Sequence, residues 1–370
     1  MSESKKQFHK KLEHCLCPPG DGVFTVNTAK ERKDALRRKL YGQTEGVDTL
    51  WKASLEKLGE SEHKAAILGI SSDCGGGILR GANWGPLFLR STLIEQQPQT
   101  SAFDLGDVRV IPHLLHDKYL NESTISNCQK ALYADPESEY YVSPLSITED
   151  VCDGFYENYP DKGVFGIGGD HSISYPLTKA YLKAKRARGV KTAIIHFDAH
   201  TDLLVERLGI DLCFGSWCTH ILEFLPAPHH LVQFGIRSSG KPKYHWESTF
   251  GVKQHWAHEI RERGAQAIVD EVIAQLKADG VEELYVSFDI DALDEEFASA
   301  TGTPEAGGMT PDEAMLILQA LRGEFKITGA DMMEIAPFTD SSLVGQTSSE
   351  TTLKEGAKLS AFLIDAINNS

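Results

Sequence analysis

Beyond residue 60 the chain alternates between two hydrophobic patterns. Short, near-continuous apolar runs occur at 65–70 (AAILGI), 164–168 (VFGIG), 192–197 (TAIIHF), 231–236 (LVQFGI), 283–290 (ELYVSFDI) and 326–335 (KITGADMMEI). Runs of this length predict strands covered on both faces. Between them lie segments with helical spacing, clearest at 258–278 and 310–321. The second opens with Thr310-Pro311-Asp312-Glu313: an N-cap, a proline at the first helical position and a capping-box glutamate. Strand alternating with helix predicts an α/β fold with a mainly parallel sheet layered by helices. Residues 101–160 mix helical and loop signals and yield no assignment. Residues 1–60 are rich in charge (KKQFHKK, KERKDALRRKL), broken by Pro18-Pro19-Gly20, and read as a helical extension ahead of a main domain, 61–370.

Composition narrows the partners. Of 370 residues, 37 are Lys or Arg and 53 are Asp or Glu, a net charge of −16. That balance repels phosphate backbones and anionic lipid, so nucleic-acid and membrane binding are not expected, while a cationic ligand or a metal is. No stretch approaches the roughly 20 apolar residues of a membrane span, and the charged N-terminus lacks a secretory apolar run. Seven scattered cysteines fit a reducing compartment, so a cytoplasmic location is expected.

Three motifs rich in carboxylate and imidazole each close a predicted strand: Gly168-Gly169-Asp170-His171-Ser172, Phe197-Asp198-Ala199-His200-Thr201-Asp202 and Ser287-Phe288-Asp289-Ile290-Asp291-Ala292-Leu293-Asp294. In an open parallel sheet, ligands collect beyond the carboxyl ends of the strands. Strand alternation would send Asp198, His200 and Asp202 to one side, and likewise Asp289 and Asp291. Five such groups, with His171 from a third strand, repel one another unless cations sit among them. Two divalent ions offset four carboxylates; one does not. Mixed imidazole and carboxylate donors favour Mn, Ni, Zn or Fe over Mg or Ca. A single D-x-H or D-x-D arises readily by chance, but three strand-terminal motifs in this order do not. His196 shares the strand parity yet lies inside an apolar run, and is read as a core histidine.

The motifs GGDHS, FDAHTD and SFDIDALD resemble the three signatures of the arginase/agmatinase (ureohydrolase) family. The resemblance runs from about residue 64 to the C-terminus and takes in Arg80–Pro86 (RGANWGP), Asp104-Leu105-Gly106-Asp107 and the agmatinase-like loop 301–308 (TGTPEAGG). It implies a three-layer α/β/α sandwich over 61–370 as the ureohydrolase catalytic domain, assembled as a homotrimer or homohexamer. It also implies two divalent ions per subunit, Mn²⁺ first and Ni²⁺ second. One ion would be held by His171, Asp198, Asp202 and Asp289, the other by Asp198, His200, Asp289 and Asp291. The implied reaction is attack of metal-bridging hydroxide on the central carbon of a small cationic guanidino or amidino compound, breaking a linear C–N bond. Glu334, in Met332-Met333-Glu334-Ile335-Ala336-Pro337, matches the family's E-[VI]-x-P and would receive the planar fork of substrate N–H groups.

One position departs from the family pattern. Members acting on arginine or agmatine carry His-Gly after the second motif, and that histidine is proposed to shuttle a proton to the leaving amine. Here the stretch is Leu212-Cys213-Phe214-Gly215-Ser216-Trp217-Cys218-Thr219-His220, with Phe214 in the histidine's place. A general acid worth about 10²–10⁴-fold must then come from elsewhere: His220, Asp202 or Asp294 acting through water. Phe214 and Trp217 could narrow the pocket or stack on a flat cation. The expected catalytic residues are therefore Asp202, Glu334 and His220, with Glu334, Phe214 and Trp217 binding substrate. A formimidoylglutamase-like hydrolase and a non-catalytic regulatory member are the alternatives that the lost histidine raises. Cys213 and Cys218 are read as buried filler, His14-Cys15-Leu16-Cys17 as half a metal site by chance, and Gly75-Gly76-Gly77 as a loop at the pocket rim.

Overall fold

The computed structural model describes residues 3–23, 27–76, 79–339 and 349–370. Nine strands form one sheet: β1 (Leu16–Cys17), β2 (Ala65–Gly69), β3 (Phe103–Val108), β4 (Gly163–Ile167), β5 (Thr192–Phe197), β6 (Leu231–Ile236), β7 (Lys253–Trp256), β8 (Glu283–Asp289) and β9 (Lys326–Met333). Their order is β1-β3-β2-β4-β9-β8-β5-β6-β7, and every pairing is parallel except β1 with β3. The six predicted strands are all present, each within two residues of its expected end.

Alternation along these strands feeds two separate cores. Ile195, Phe197, Val232, Phe234, Val286 and Phe288 pack with Ile268, Val272, Ile317 and Leu363 on one face. Ile194, Leu231, Tyr285 and Met333 pack with Phe8, Val151, Leu177 and Trp217 on the other. Apolar side chains on both faces are what a parallel sheet covered by helices requires. The three-layer α/β/α sandwich is thus observed.

The helix predicted at 258–278 is two helices, Ala257–Arg263 and Ala265–Ala278. Gly264 separates them at φ 87°, a left-handed conformation that ends the first helix. The second predicted helix spans Pro311–Glu324, and its Thr310–Glu313 capping box forms as expected. Of the first sixty residues, Glu3–Cys15, Lys30–Tyr41 and Val47–Leu55 are helical, and β1 adds an antiparallel edge strand. The first helix lies against Pro144–Asn158, with Phe8 and Leu12 buried.

Candidate metal centre

The three motifs meet beyond the carboxyl ends of β4, β5 and β8. After β4 the chain passes Gly169, where a Cβ would stand 1.6 Å from the Ser72 carbonyl oxygen, so only glycine permits this approach. A single 3₁₀ turn, His171–Ile173, then carries His171 inward, capped by Asp170, whose carboxylate accepts from Ser172 N. Strand alternation explains only part of the second motif. β5 ends at Phe197, and Asp198 N still bonds Phe234 O at 3.0 Å, but the next residues form a loop that sets Asp202 at φ 49°. Another 3₁₀ turn, Ile290–Ala292, places Asp291, whose N–H is donated to Asp289 Oδ1 at 2.9 Å.

The six residues fall into two linked groups. His171 Nδ1 faces Asp198 Oδ2 at 3.0 Å, Asp289 Oδ2 at 3.0 Å and Asp202 Oδ2 at 3.4 Å. His200 Nδ1 faces Asp291 Oδ2 at 3.1 Å and Asp198 Oδ1 at 3.3 Å. Asp198 joins the groups. All four carboxylates and His171 are buried, His200 less so. None of the four is ion-paired with a lysine or arginine among the described residues; Arg237 approaches, but its guanidinium is spent on the carbonyls of Asp291, Leu293 and Glu305.

Proton affinities record that imbalance. Burial, then the charges of Asp291 and Asp198, hold the Asp289 carboxyl well above its ordinary range. Burial and the neighbouring Asp198 do the same to Asp202. Burial opposes charge on His171, yet the Asp198 and Asp289 carboxylates hold its imidazole well above the usual value. The cluster demands positive charge, as protons or as cations. The donor set fits cations: His171 Nδ1 is buried without a hydrogen bond of its own and is aimed at three carboxylate oxygens.

Glu334 follows β9 at φ 62°, a conformation costly for a long side chain and of the kind kept at functional sites. Its Oε1 accepts from His171 N at 3.0 Å, and Oε2 would lie 3.1 Å from a Cβ placed on Gly302, so the carboxylate stands between the GGDHS turn and the 301–308 loop. Burial and the Asp289 charge push its carboxyl well above the usual value.

The remaining expectations fare differently. Trp217 is fully buried behind Asp202: its indole N–H is donated to Asp202 Oδ2 at 2.8 Å and its ring lies 5.0 Å from that of His171. It braces the cluster and has no surface to offer a substrate. His220 does not join the cluster; its Nε2 meets the Asp211 carbonyl at 2.8 Å and its ring meets Tyr175. Asp294 is consumed by the backbone N–H groups of Gly307, Gly308 and Glu296. Phe214 is half-buried, ties its N–H to Gly75 O, and already carries a cation on its ring, Arg207 at 4.9 Å. Cys213 and Cys218 are buried free thiols. Gly75 N bonds Asp170 Oδ2, which puts that loop beside the cluster; Gly77 lies outside the described residues.

Sequence reasoning missed the outer layer. Glu305 Oε1 stands 3.4 Å from His200 Nε2, and Thr303 donates to Asp291 Oδ2 at 3.1 Å, both from the 301–308 loop. Ser287 Oγ meets His171 Nε2 at 3.0 Å and donates to Asp331 Oδ1 at 2.8 Å. His196 is no idle core residue: its Nε2 lies 2.8 Å from Asp198 Oδ2. The signal available was a polar residue at the same level of each strand, in runs otherwise apolar. A second histidine–carboxylate group, His229, His230 and Asp279, lies at the start of β6; there Asp279 Oδ2 is satisfied by His229 at 3.1 Å and Gln275 at 2.9 Å.

A covered parallel sheet with an acid and imidazole cluster at its carboxyl edge is an arrangement able to hold metal ions, and the chain belongs to the arginase family, which residues 63–360 match. Over 196 residues it is 36% identical to the agmatinase of Bacillus subtilis, a stretch covering 52% of this chain and 63% of that protein, so less than two thirds of the relative is spanned. Among solved structures, a hypothetical agmatinase from Burkholderia thailandensis superposes with a TM-score of 0.62 at 25% identity, covering 83% of this chain and 86% of the other. Formimidoylglutamase from Bacillus subtilis superposes with a TM-score of 0.64 at 20% identity, covering 83% and 87%, and shows the shared fold. No helix among the described residues is long and apolar enough to cross a membrane.

Proposed function

We propose that the protein is a binuclear metal hydrolase cleaving a linear C–N bond of a guanidino or amidino compound, in the manner of an agmatinase. The observation that carries this reading is the meeting of four buried carboxylates and two imidazoles with no lysine or arginine among the described residues to neutralise them. His171, Asp198, Asp202 and Asp289 would hold one ion; Asp198, His200, Asp289 and Asp291 would hold the other. The mixed carboxylate and imidazole donors suit either Mn²⁺ or Ni²⁺, and the family resemblance puts Mn²⁺ first and Ni²⁺ second. When bound, such a pair supplies Lewis acidity and brings the pKa of a coordinated water near neutrality.

The chain's own residues do the rest. Glu334 receives the N–H fork of the substrate cation and orients its central carbon toward the cluster. Trp217 and Ser287 keep Asp202 and His171 from turning away. Hydrolysis consumes one water, breaks the bond from carbon to the leaving nitrogen and delivers a proton to that nitrogen. With His220 and Asp294 engaged elsewhere, Asp202 is the carboxyl left to carry it. Seven free cysteines support a cytoplasmic location, and the family resemblance supports assembly as a homotrimer or homohexamer.

The test is an activity screen after loading with Mn²⁺ or Ni²⁺, on arginine, agmatine, guanidinobutyrate, guanidine and formiminoglutamate. Turnover of a guanidino compound with release of urea is expected. Turnover of formiminoglutamate alone would move the chain to the formimino branch that Phe214 leaves open. Metal retention without turnover of any of the five would remove the proposal.

A further inference from the structure

Five neighbouring strands each place one polar side chain at the same level. Gln254 on β7 pairs in register with Gln233 on β6, Gln233 with His196 on β5, His196 with Ser287 on β8, and Ser287 with Asp331 on β9. All five side chains are buried. Their in-register neighbours one level up, Phe234, Phe197 and Phe288, are aromatic and stack on the opposite face. A buried polar row costs stability unless every member is satisfied. This row is satisfied in a particular direction.

The direction is set at both ends by groups with no choice. An indole N–H only donates and a backbone carbonyl only accepts. Trp256 Nε1 donates to Gln254 Oε1 at 2.9 Å, which turns Gln254 Nε2 onto Gln233 Oε1 at 2.8 Å. That turns Gln233 Nε2 toward the Thr201 carbonyl at 2.7 Å and His196 Nδ1 at 2.8 Å. The Thr201 carbonyl demands the same orientation of Gln233 independently of Trp256. With an amide N–H pointing at Nδ1, the ring proton of His196 must sit on Nε2, where Asp198 Oδ2 accepts it at 2.8 Å. Asp198 Oδ1 is held in turn by His200 N at 2.6 Å. Each oxygen of the carboxylate that joins the two halves of the cluster thus receives one fixed N–H.

We propose that Gln233, aligned by Gln254 and Trp256, is a positioning residue that locks His196 in its Nε2–H tautomer and so fixes the carboxylate plane of Asp198 for binding a pair of divalent cations. The proposal rests on the reading of Asp198 as a shared metal ligand, but the lock itself exists in the metal-free protein and is measurable there. A partner to a metal ligand typically changes metal affinity 10–100-fold when lost.

The experiment compares the full-length protein with Gln233→Met and Gln254→Met, which keep side-chain length and remove the amide. Ring ¹⁵N shifts of histidine-labelled, metal-free protein should show His196 as a single Nε2–H tautomer with Nδ1 accepting a hydrogen bond in the parent, and in Gln233→Met an Nδ1 resonance moved to the shift of a nitrogen without a donor and broadened by ring motion. Competition with a chelator should show Mn²⁺ held about tenfold more weakly by Gln233→Met, with Gln254→Met moving both readouts the same way by less. Should Gln233→Met fail to fold, the same two readouts on Gln233→Leu decide. Parental ring shifts and parental retention in a folded Gln233 variant would overturn the proposal. If the parent itself retains no metal, the metal-hydrolase reading falls, while the tautomer spectra still show whether the lock exists.

Discussion

Two sets of carboxylates are buried near this sheet, and only one is neutralised by the chain itself. On β3, Asp104 and Asp107 flank Arg90, which reaches down from the helix Gly85–Gln96; Arg90 Nε lies 2.9 Å from Asp104 Oδ2, and Nη1 lies 2.7 Å from Asp107 Oδ1. The remaining negative charge meets backbone N–H groups, Gly20 and Gly22 on Asp107 and Gly106 on Asp104. The set is closed: one guanidinium and three amides, all covalently present, and it staples residues near 20 to the sheet. The cluster at the ends of β5 and β8 has twice the carboxylates and, among the described residues, no guanidinium or ammonium paired with them. Burial of acids is common to both, so burial alone does not mark a site. What separates them is whether the countercharge is part of the polypeptide; a site that lacks it draws positive charge from outside, as protons or as the cations proposed above.

The largest effect that would break this contrast is at Asp289. Asp289→Ala removes a carboxylate from both proposed metal positions, so turnover should fall to the assay floor and retained metal should drop from about two ions per chain. Its metal-free stability should not fall, because one source of repulsion has gone. Added Mn²⁺ should raise the melting temperature of the parent by mass action and leave the variant unmoved. A variant that keeps parental activity, or whose metal-free form melts well below the metal-free parent, would put the cluster in the same class as the Arg90 set.

The converse substitution is Arg90→Met. It leaves Asp107 buried and Asp104 half-buried with no cation, and an unpaired buried charge typically costs about 3–5 kcal/mol. Burial already holds the Asp104 carboxyl above its usual value even with Arg90 beside it. Urea unfolding should show that loss to the same extent with and without Mn²⁺, and the folded fraction should still retain metal. A loss that appeared only in the metal-loaded protein would mean the two sets are not independent.

How far these sites can be read from the sequence follows from the same distinction. The strands β2, β4, β5, β6, β8 and β9 are legible because their residues are apolar on both faces, a local property. The six cluster residues are legible because three strand ends each carry at least one acid, two of them with an imidazole. β3 is not: Phe103-Asp104-Leu105-Gly106-Asp107-Val108 yields no assignment until Arg90 and the segment around Gly20 supply partners that no local pattern names. β1 is two residues long and exists through its pairing with β3. Trp217 is ambiguous for a similar reason. An aromatic residue shortly after a metal motif suits a pocket wall or a hydrogen-bond donor equally, and only the position of Asp202 decides. The polar row across the strands was visible as single residues, while its alignment required the register.

A third, half-buried ionisable group sharpens the contrast from the other side. His255 on β7 lies against the Phe234 ring at 5.3 Å, in an aromatic rather than a carboxylate setting. Burial, with the Lys243 charge second, pushes its imidazole down from 6.5 to about 4, opposite to the shift of His171. In the folded protein it therefore stays neutral until the pH approaches about 4, while in the unfolded chain it takes up a proton near 6.5. Between those values the unfolded state holds more protons, so this group's contribution to stability is present at pH 7 and is lost as the pH falls toward 4. His255→Phe keeps the ring contact and removes the titration. Metal-free parent and variant, melted at pH 7 and pH 5, should differ in how much each loses, the parent falling further by about 2 °C. Both share every carboxylate of the cluster, so its own acid sensitivity cancels in the difference. Equal losses would mean that His255 binds its proton as readily folded as unfolded, and that the aromatic setting does not oppose its charge.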